Sequence, residues 1–282
     1  MTVKKEDDPD FNHILAYLLR VKGFVGHSYK PNYIKRRIAV RMRSTGSENY
    51  RQYLGVLEKD PQEPSHLLDR LTIHVTEFFR DPSVYKALEE KILPGFEGLK
   101  GGRLRVWCAG CSTGEEAYSV AVLLKEWTAT QPGLSFEILA TDIDMASVKT
   151  AEKGDYPVEA VKAIPRPRLA RWFRTAGPRV LVSQDLKHQV RFKVQDLLGK
   201  WEPVFSDFHL ILCRNLLIYL TGPQQQRLYE QFAGSLLPEG CLILGLTETL
   251  LGPARRFFHC VDVKHRVYRV ISGAGTAPAT GE

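Results

Sequence analysis

Apolar residues recur at helical spacing through the first 80 positions and change to short continuous runs after Gly101-Gly102. Phe11, Ile14, Leu15 and Leu18 fit an i, i+3, i+4, i+7 stripe, and Tyr50, Tyr53, Leu54 and Leu57 repeat it. Between them Ile34, Ile38 and Met42 recur every fourth residue, which predicts a helix with one buried stripe. At about 100° per residue, Arg36, Arg37, Arg41 and Arg43 then share its opposite side as a comb of guanidinium groups. Ser44–Ser47 and Asp60–Pro64 read as connectors. Thr76 and Arg80 are expected one helical turn apart, facing one site. Asp81-Pro82 reads as the N-cap and first residue of a helix that turns Val84, Tyr85, Leu88 and Ile92 inward.

The second half alternates. Leu104–Ala109, Phe136–Asp142, Val190–Val194, Phe208–Cys213, Cys241–Leu246 and Arg266–Ile271 read as strands. Helices are expected at about Gly114–Thr128, Ala146–Lys153 and Pro223–Leu236. Strands alternating with helices predict an α/β domain with a doubly wound, mostly parallel sheet. Tyr156–Gln189 breaks the alternation: it is proline-rich at first and then turns at Gly177-Pro178. It reads as an insertion of one helix and a small antiparallel hairpin sheet. The domains expected are therefore a helical one over 1–80, an α/β one over 81–271 with residues 156–189 inserted, and a disordered tail over 272–282.

Composition leaves this picture intact: 282 residues, 44% hydrophobic and 25% charged, suit one or two ordinary globular domains. No apolar run reaches the roughly 18 residues of a membrane span, and the first residues lack the apolar core of a signal peptide. A cytoplasmic protein is expected. Cys108 and Cys111 form a CxxC in a glycine-containing turn with no partner pair elsewhere, so neither metal nor redox chemistry is called for. Charge adds more. The net +7 hides two basic segments: Lys30–Arg51 carries seven basic residues against Glu48, and Lys162–Lys193 nine against Asp185. Such clustering suggests an acidic macromolecular partner, either nucleic acid or an acidic protein surface.

Candidate chemistry sits at strand ends. Val106–Tyr118 holds Gly110 and Gly114 around small polar residues between a strand and a helix, a turn that brings a ligand close to backbone and helix N-terminal amides. It lacks GxGxxG. Glu115 and Glu116 at the helix start repel phosphate but suit S-adenosylmethionine, which carries a sulfonium and an ammonium instead. Asp142 ends the next strand, where an acid hydrogen-bonds ribose hydroxyls; Asp144 could instead cap the following helix. Cys213–Tyr219 follows a strand whose carboxyl end should face cofactor and acceptor. Methyltransferases acting on base amines place Asn/Asp-Pro-Pro-Tyr/Phe there, and this chain does not.

Four ordered blocks together resemble the CheR family of chemotaxis-receptor glutamate O-methyltransferases. They are Thr76-Glu77-Phe78-Phe79-Arg80-Asp81, Cys111–Ser119, Ala140-Thr141-Asp142-Ile143-Asp144 and Cys213-Arg214-Asn215-Leu216-Leu217-Ile218-Tyr219. The likeness runs from about Phe11 to Ile271. It implies an N-terminal all-α domain, a Rossmann-like class I methyltransferase domain and a small inserted antiparallel β-subdomain. It implies S-adenosylmethionine as cofactor, held by Thr76, Arg80, Glu116 (or Glu115, one position away), Asp142, Asp196, Leu197, Arg214 and Asn215, and S-adenosylhomocysteine as product. Arg80 and Tyr219 would line the methyl-acceptor site, and Arg37, Arg41 and Arg43 would grip the acidic helical cytoplasmic domain of chemoreceptors, with no nucleic acid bound and no membrane insertion. The family usually has Asn where this chain has His74, a neutral imidazole still able to hydrogen-bond the cofactor. The turn Arg174–Arg179 is compact, which implies weak or no tethering of a receptor C-terminal peptide. A non-catalytic S-adenosylmethionine-binding scaffold and, less so, a nucleic-acid methyltransferase are the competing readings.

Overall fold

Proline and glycine bracket the helices that open the chain. In a computed structural model, which describes residues 8–71, 76–99, 102–199, 201 and 206–271, α1 spans Pro9–Lys22 between the Asp8 cap and a left-handed Gly23. The helix α2 (Pro31–Thr45) likewise starts on proline and ends at a left-handed Gly46. Asn49 caps α3 (Tyr50–Lys59) by accepting from the Gln52 amide at 2.9 Å, and α4 covers Glu63–Leu71. Phe11, Ile14, Leu15, Leu18, Ile34, Ile38, Tyr53 and Leu57 form the core of this unit, so the sequence periodicity reports burial faithfully.

The guanidinium comb is broken at one tooth. Arg41 turns inward and donates from Nε to Glu63 Oε1 at 2.9 Å, while Tyr53 donates its hydroxyl to the same oxygen at 2.7 Å. Glu63 is 1% exposed and needs a counter-charge, which outweighs the preference of a lone arginine for water. Burial alone would raise the Glu63 pKa; the hydrogen bonds from Arg41 and Tyr53 overturn that and hold it below the usual carboxylate range.

The chain divides into two compact units: residues 1–73 with 219–224, and residues 74–218 with 225–282. In the second unit β1 (Arg103–Ala109) pairs in parallel with β2 (Ser135–Asp142), and β2 with β6 (Val190–Val194). On the other side of β1 lie β7 (Phe208–Cys213) and β8 (Leu236–Leu244), also parallel. β10 (Val267–Val270) runs antiparallel between β8 and β9 (Phe258–Asp262), giving the order β6-β2-β1-β7-β8-β10-β9. The order reverses between β1 and β7, and ligands bind outside the carboxyl ends of strands at such a switch point. α6 (Glu115–Thr128), α7 (Met145–Lys153) and α10 (Gly222–Ser235) are the crossovers. This is a Rossmann-like class I methyltransferase fold with an all-α N-terminal part and a small antiparallel insertion.

That insertion is a three-stranded sheet of β3 (Asp155–Pro157), β5 (Arg179–Val182) and β4 (Phe173–Ala176), with α8 (Arg166–Trp172) and the short α9 (Gln184–Lys187). Tyr156, Trp172, Phe173, Val180 and Val182 join the core of the second unit, so the insertion is packed onto its host. No helix among the described residues is long and apolar enough to cross a membrane. The tail at 272–282 lies outside the described residues.

Two local expectations fail. Thr76–Arg80 is an irregular turn and not a helix: Phe79 and Asp81 have φ of +54° and +58°, because Phe78 and Phe79 are both pulled into the core. Asp81 precedes α5 (Pro82–Ala87) but makes no side-chain cap; its carboxylate faces Arg214 instead. The helix runs on from α5 as a π turn at Leu88–Ile92, and Val84, Tyr85, Leu88 and Ile92 are all buried as expected.

Replacing Glu63 with Gln is expected to cost roughly 2 kcal/mol at pH 7 in urea unfolding, below the range for fully buried pairs because Arg41 keeps some water. Since the folded carboxyl has the lower pKa, its stabilisation is present above the unfolded value of about 4.3 and is lost as pH falls through the folded one. The gap between wild type and Glu63→Gln should therefore shrink in acid.

Candidate active site

The turn after β1 is held open by backbone geometry that few side chains tolerate. Gly110, Ser112 and Gly114 have φ of +81°, +48° and +95°. A Cβ on Gly114 would come within 2.7 Å of Ala151 Cβ and 3.0 Å of the Tyr156 hydroxyl. Tyr156 uses that hydroxyl to donate to the Thr113 carbonyl at 2.6 Å, which pins the turn to α7 and the insertion. The amides of Gly110 and Cys111 both donate to the Thr141 carbonyl, at 2.8 and 2.9 Å. The loop is thus sewn to the carboxyl end of β2, and its shape is set before any ligand arrives.

Asp142 is the centre of that seam. One of its oxygens accepts from the Ser112 amide at 2.8 Å and the other from the Asp144 amide at 3.0 Å. Its carbonyl takes the Gln195 amide at 2.8 Å, which brings the Asp196-Leu197 loop alongside. Asp144 is the helix cap, accepting from Ala146 and Ser147 at the start of α7. Asp142 ends β2 beside the turn after β1, and Asp144 serves as the cap of α7. Leu197 is buried and Asp196 half-buried, its Oδ1 accepting from the Leu198 amide.

Glu115 and Glu116 separate here. Glu115 is buried and accepts from Thr113 Oγ1 at 2.7 Å; burial pushes its carboxyl upward. Glu116 takes Arg214 Nη1 at 2.9 Å; burial pushes its carboxyl upward too, and the guanidinium opposes it. Arg214 links two other candidate site residues. Its side chain is 1% exposed, and Nη2 reaches both Asp81 Oδ2 at 2.7 Å and the Arg80 carbonyl at 3.0 Å. It thereby braces the Arg80 turn against α6. Thr76 and Arg80 are both half-buried on that turn. His74 lies outside the described residues.

Sequence reasoning missed Glu248. It lies after β8, 3% exposed, and accepts three backbone amides: Gly245 at 2.7 Å, Asn215 at 2.9 Å and Ile218 at 3.2 Å. Burial pushes its pKa up and these amides pull it back. They hold Asn215 at φ +61° and shape the turn after β7. A lone acid in Leu246-Thr247-Glu248-Thr249 carries no periodic signal, so only the fold reveals it. Tyr219, the last residue of the fourth block, clusters with the helical unit, whereas Ile218 clusters with the other.

The donor set fits S-adenosylmethionine. Ser112 Oγ is buried without a hydrogen-bond partner among the described residues, beside an acid at a strand end. Glu115, Glu116, Asp142 and Asp196 around the turn are acids, and the Arg214 guanidinium beside them is paired with Glu116 and Asp81. Such a lining suits a cationic ligand with ribose hydroxyls and disfavours phosphate.

The profile for the SAM binding domain of CheR methyltransferase matches residues 74–267, and that for the all-alpha domain of CheR methyltransferase matches residues 9–72. The chain belongs to the CheR methyltransferase family. It is a methyltransferase, and its cofactor is S-adenosylmethionine. The chemotaxis protein methyltransferase of Listeria monocytogenes is 33% identical over 250 residues, covering 87% of this chain and 94% of that protein. The Escherichia coli protein of that name is 33% identical over 256 residues, covering 89% and 87%. An uncharacterised 104.1 kDa protein of Rhodobacter capsulatus is 33% identical over 272 residues; there the chain spans 28% of the relative's length.

Arg214→Gln leaves Glu116 and Asp81 without their counter-charge and should cost roughly 3–5 kcal/mol in denaturant unfolding. Adding Glu116→Gln to that variant is expected to recover part of the loss, because a buried uncompensated charge is removed.

Proposed function

We propose that this chain transfers the methyl group of S-adenosylmethionine to glutamate side chains in the acidic helical cytoplasmic region of chemoreceptors, forming glutamyl methyl esters for sensory adaptation. The observation that carries this reading is the match of both CheR profiles, over residues 9–72 and 74–267, together with the relatives named chemotaxis protein methyltransferase. The work would be done in the cytoplasm, where such receptor regions lie.

Cofactor contacts are assigned to Thr76, Arg80, Glu116, Asp142, Asp196, Leu197 and Asn215, with Asp142 on the ribose hydroxyls. Arg214, which fixes Glu116 and the Arg80 turn, is assigned a cofactor contact as well. His74 keeps the cofactor role that its place in the motif implies. When bound, the cofactor supplies an activated methyl on a sulfonium. The acceptor glutamate is already ionised near neutral pH, so no general base and no metal is required. An acceptor carboxylate oxygen would take the methyl carbon, and the electron pair of the broken carbon–sulfur bond would remain on sulfur in the product, S-adenosylhomocysteine. The chain's task is alignment, which can supply roughly 7–11 kcal/mol of the barrier. Arg80 orients one acceptor oxygen without neutralising it, and Tyr219 positions the acceptor. These two roles rest on the motif match, each residue taken separately.

The partner surface is α2. Arg36 and Arg43 are exposed and Arg37 half-exposed, whereas Arg41 is committed to Glu63, so the grip on an acidic helix falls to the first three. The β4–β5 turn around Gly177 is short, and receptor C-terminal peptides bind it weakly or not at all.

Incubation with methyl-tritiated cofactor should label receptor fragments with base-labile counts released as methanol. Counts on tRNA would overturn the reading, and counts on neither substrate would favour a non-catalytic scaffold. Arg80→Ala and Tyr219→Phe should each lower kcat about tenfold or more, the worth of one hydrogen bond to a charged group. If both transfer methyl at the wild-type rate, these assignments are wrong. Arg36→Ala and Arg43→Ala are expected to raise the acceptor KM and flatten its salt dependence while kcat holds.

A further inference from the structure

The segment that carries Tyr219 is seated on the helical unit by two backbone hydrogen bonds and one ring. The Lys30 amide donates to the Tyr219 carbonyl at 2.9 Å, and the Thr221 amide donates to the Ser28 carbonyl at 2.9 Å. Between them Tyr29 and Leu220 form an isolated antiparallel bridge. The ring of Tyr33 lies 4.8 Å from that of Tyr219, tilted by 40°. Tyr219 is thereby the last of four rings in a row, Phe24, Tyr29, Tyr33 and Tyr219.

Tyr33 is itself immobilised. It is buried on the first turn of α2, and its hydroxyl donates to the carbonyl of Leu71 at the end of α4. On its other side the Arg37 guanidinium sits 5.6 Å from the ring centroid. A phenol ring so fixed offers Tyr219 a flat wall, and aromatic pairs at this separation contribute orientation beyond mere burial.

We propose that Tyr33 is a positioning residue for methyl transfer: it sets the Tyr219 ring. The proposal rests on the acceptor role assigned to Tyr219 above. Tyr33 touches neither cofactor nor acceptor in this account, and it acts through Tyr219.

The test is a double-mutant cycle in the full chain, with kcat and acceptor KM measured on receptor fragments and S-adenosylhomocysteine affinity measured by calorimetry. Tyr33→Leu is expected to lower kcat about tenfold at saturating acceptor, with acceptor KM and product affinity within about twofold. Tyr33→Phe, which keeps the ring, should restore most of the rate. In a Tyr219→Ala background, Tyr33→Leu should lower kcat no further, since the side chain it positions is gone. Should Tyr33→Leu fail to fold, Tyr33→Met carries the same comparison with a flexible side chain of similar reach. If Tyr219→Ala lowers kcat and Tyr33→Leu does not, or if the two losses simply multiply, the positioning role is overturned while the acceptor role of Tyr219 stands. If Tyr219→Ala leaves kcat unchanged, both fall together.

Discussion

A guanidinium with almost no contact with water organises the catalytic unit. Arg214 emerges from the end of β7 and joins three pieces of chain that are far apart in sequence: Asp81 with the Arg80 carbonyl, Glu116 on the first turn of α6, and its own strand. Desolvation would pull its pKa down, and the Glu116 carboxylate beside it more than restores it. An isolated charge at this depth would be prohibitive, so the three groups are stable only as a set. That interdependence fixes the register between the irregular turn holding Arg80 and the helix start holding Glu116, the two places where candidate site residues cluster. Asp142 does the same for the loop after β1, and Glu248 for the turn after β7, in both cases by receiving backbone amides.

Much of this was legible beforehand because burial is periodic. The stripe of Phe11, Ile14, Leu15 and Leu18, the stripe of Ile34 and Ile38, and the apolar runs of β1, β2 and β7 all point inward. The strand β9 was missed for the same reason: only Phe258 and Asp262 are buried, so an edge strand with three exposed residues shows little alternation. The sites of irregular backbone were also out of reach. Spacing suggested that Thr76 and Arg80 share a helix face, but two buried phenylalanines and a paired Asp81 hold the chain at positive φ there. Asp81 beside Pro82 has the signature of a cap, and a longer-range cation won its carboxylate.

Charge read from sequence gives sign and not commitment. Arg36, Arg37, Arg41 and Arg43 look equivalent on a helical wheel, yet Arg41 serves a buried acid while Arg43 faces water. The acids diverge likewise. Glu63 is held below its ordinary range by its partners, whereas burial prevails at Glu115, Glu116 and Glu248. Glu63 therefore adds stability to the helical unit as pH rises from its lowered pKa to the unfolded value of about 4.3, while the three acids of the other unit subtract from theirs as pH climbs from that value through their raised ones.

The seating of residues 219–224 has a bearing on how this protein can be rebuilt. The boundary in sequence, near residue 73, and the boundary in space do not coincide, because a short length of the later chain is lodged among the earlier helices. Exchanging residues 1–73 for those of a relative would hand Tyr219 a new berth. Grafts that aim to redirect the protein toward another receptor would have to carry Ser28, Lys30 and Tyr33 with them, or inherit a catalytic unit whose last motif residue is left unmoored.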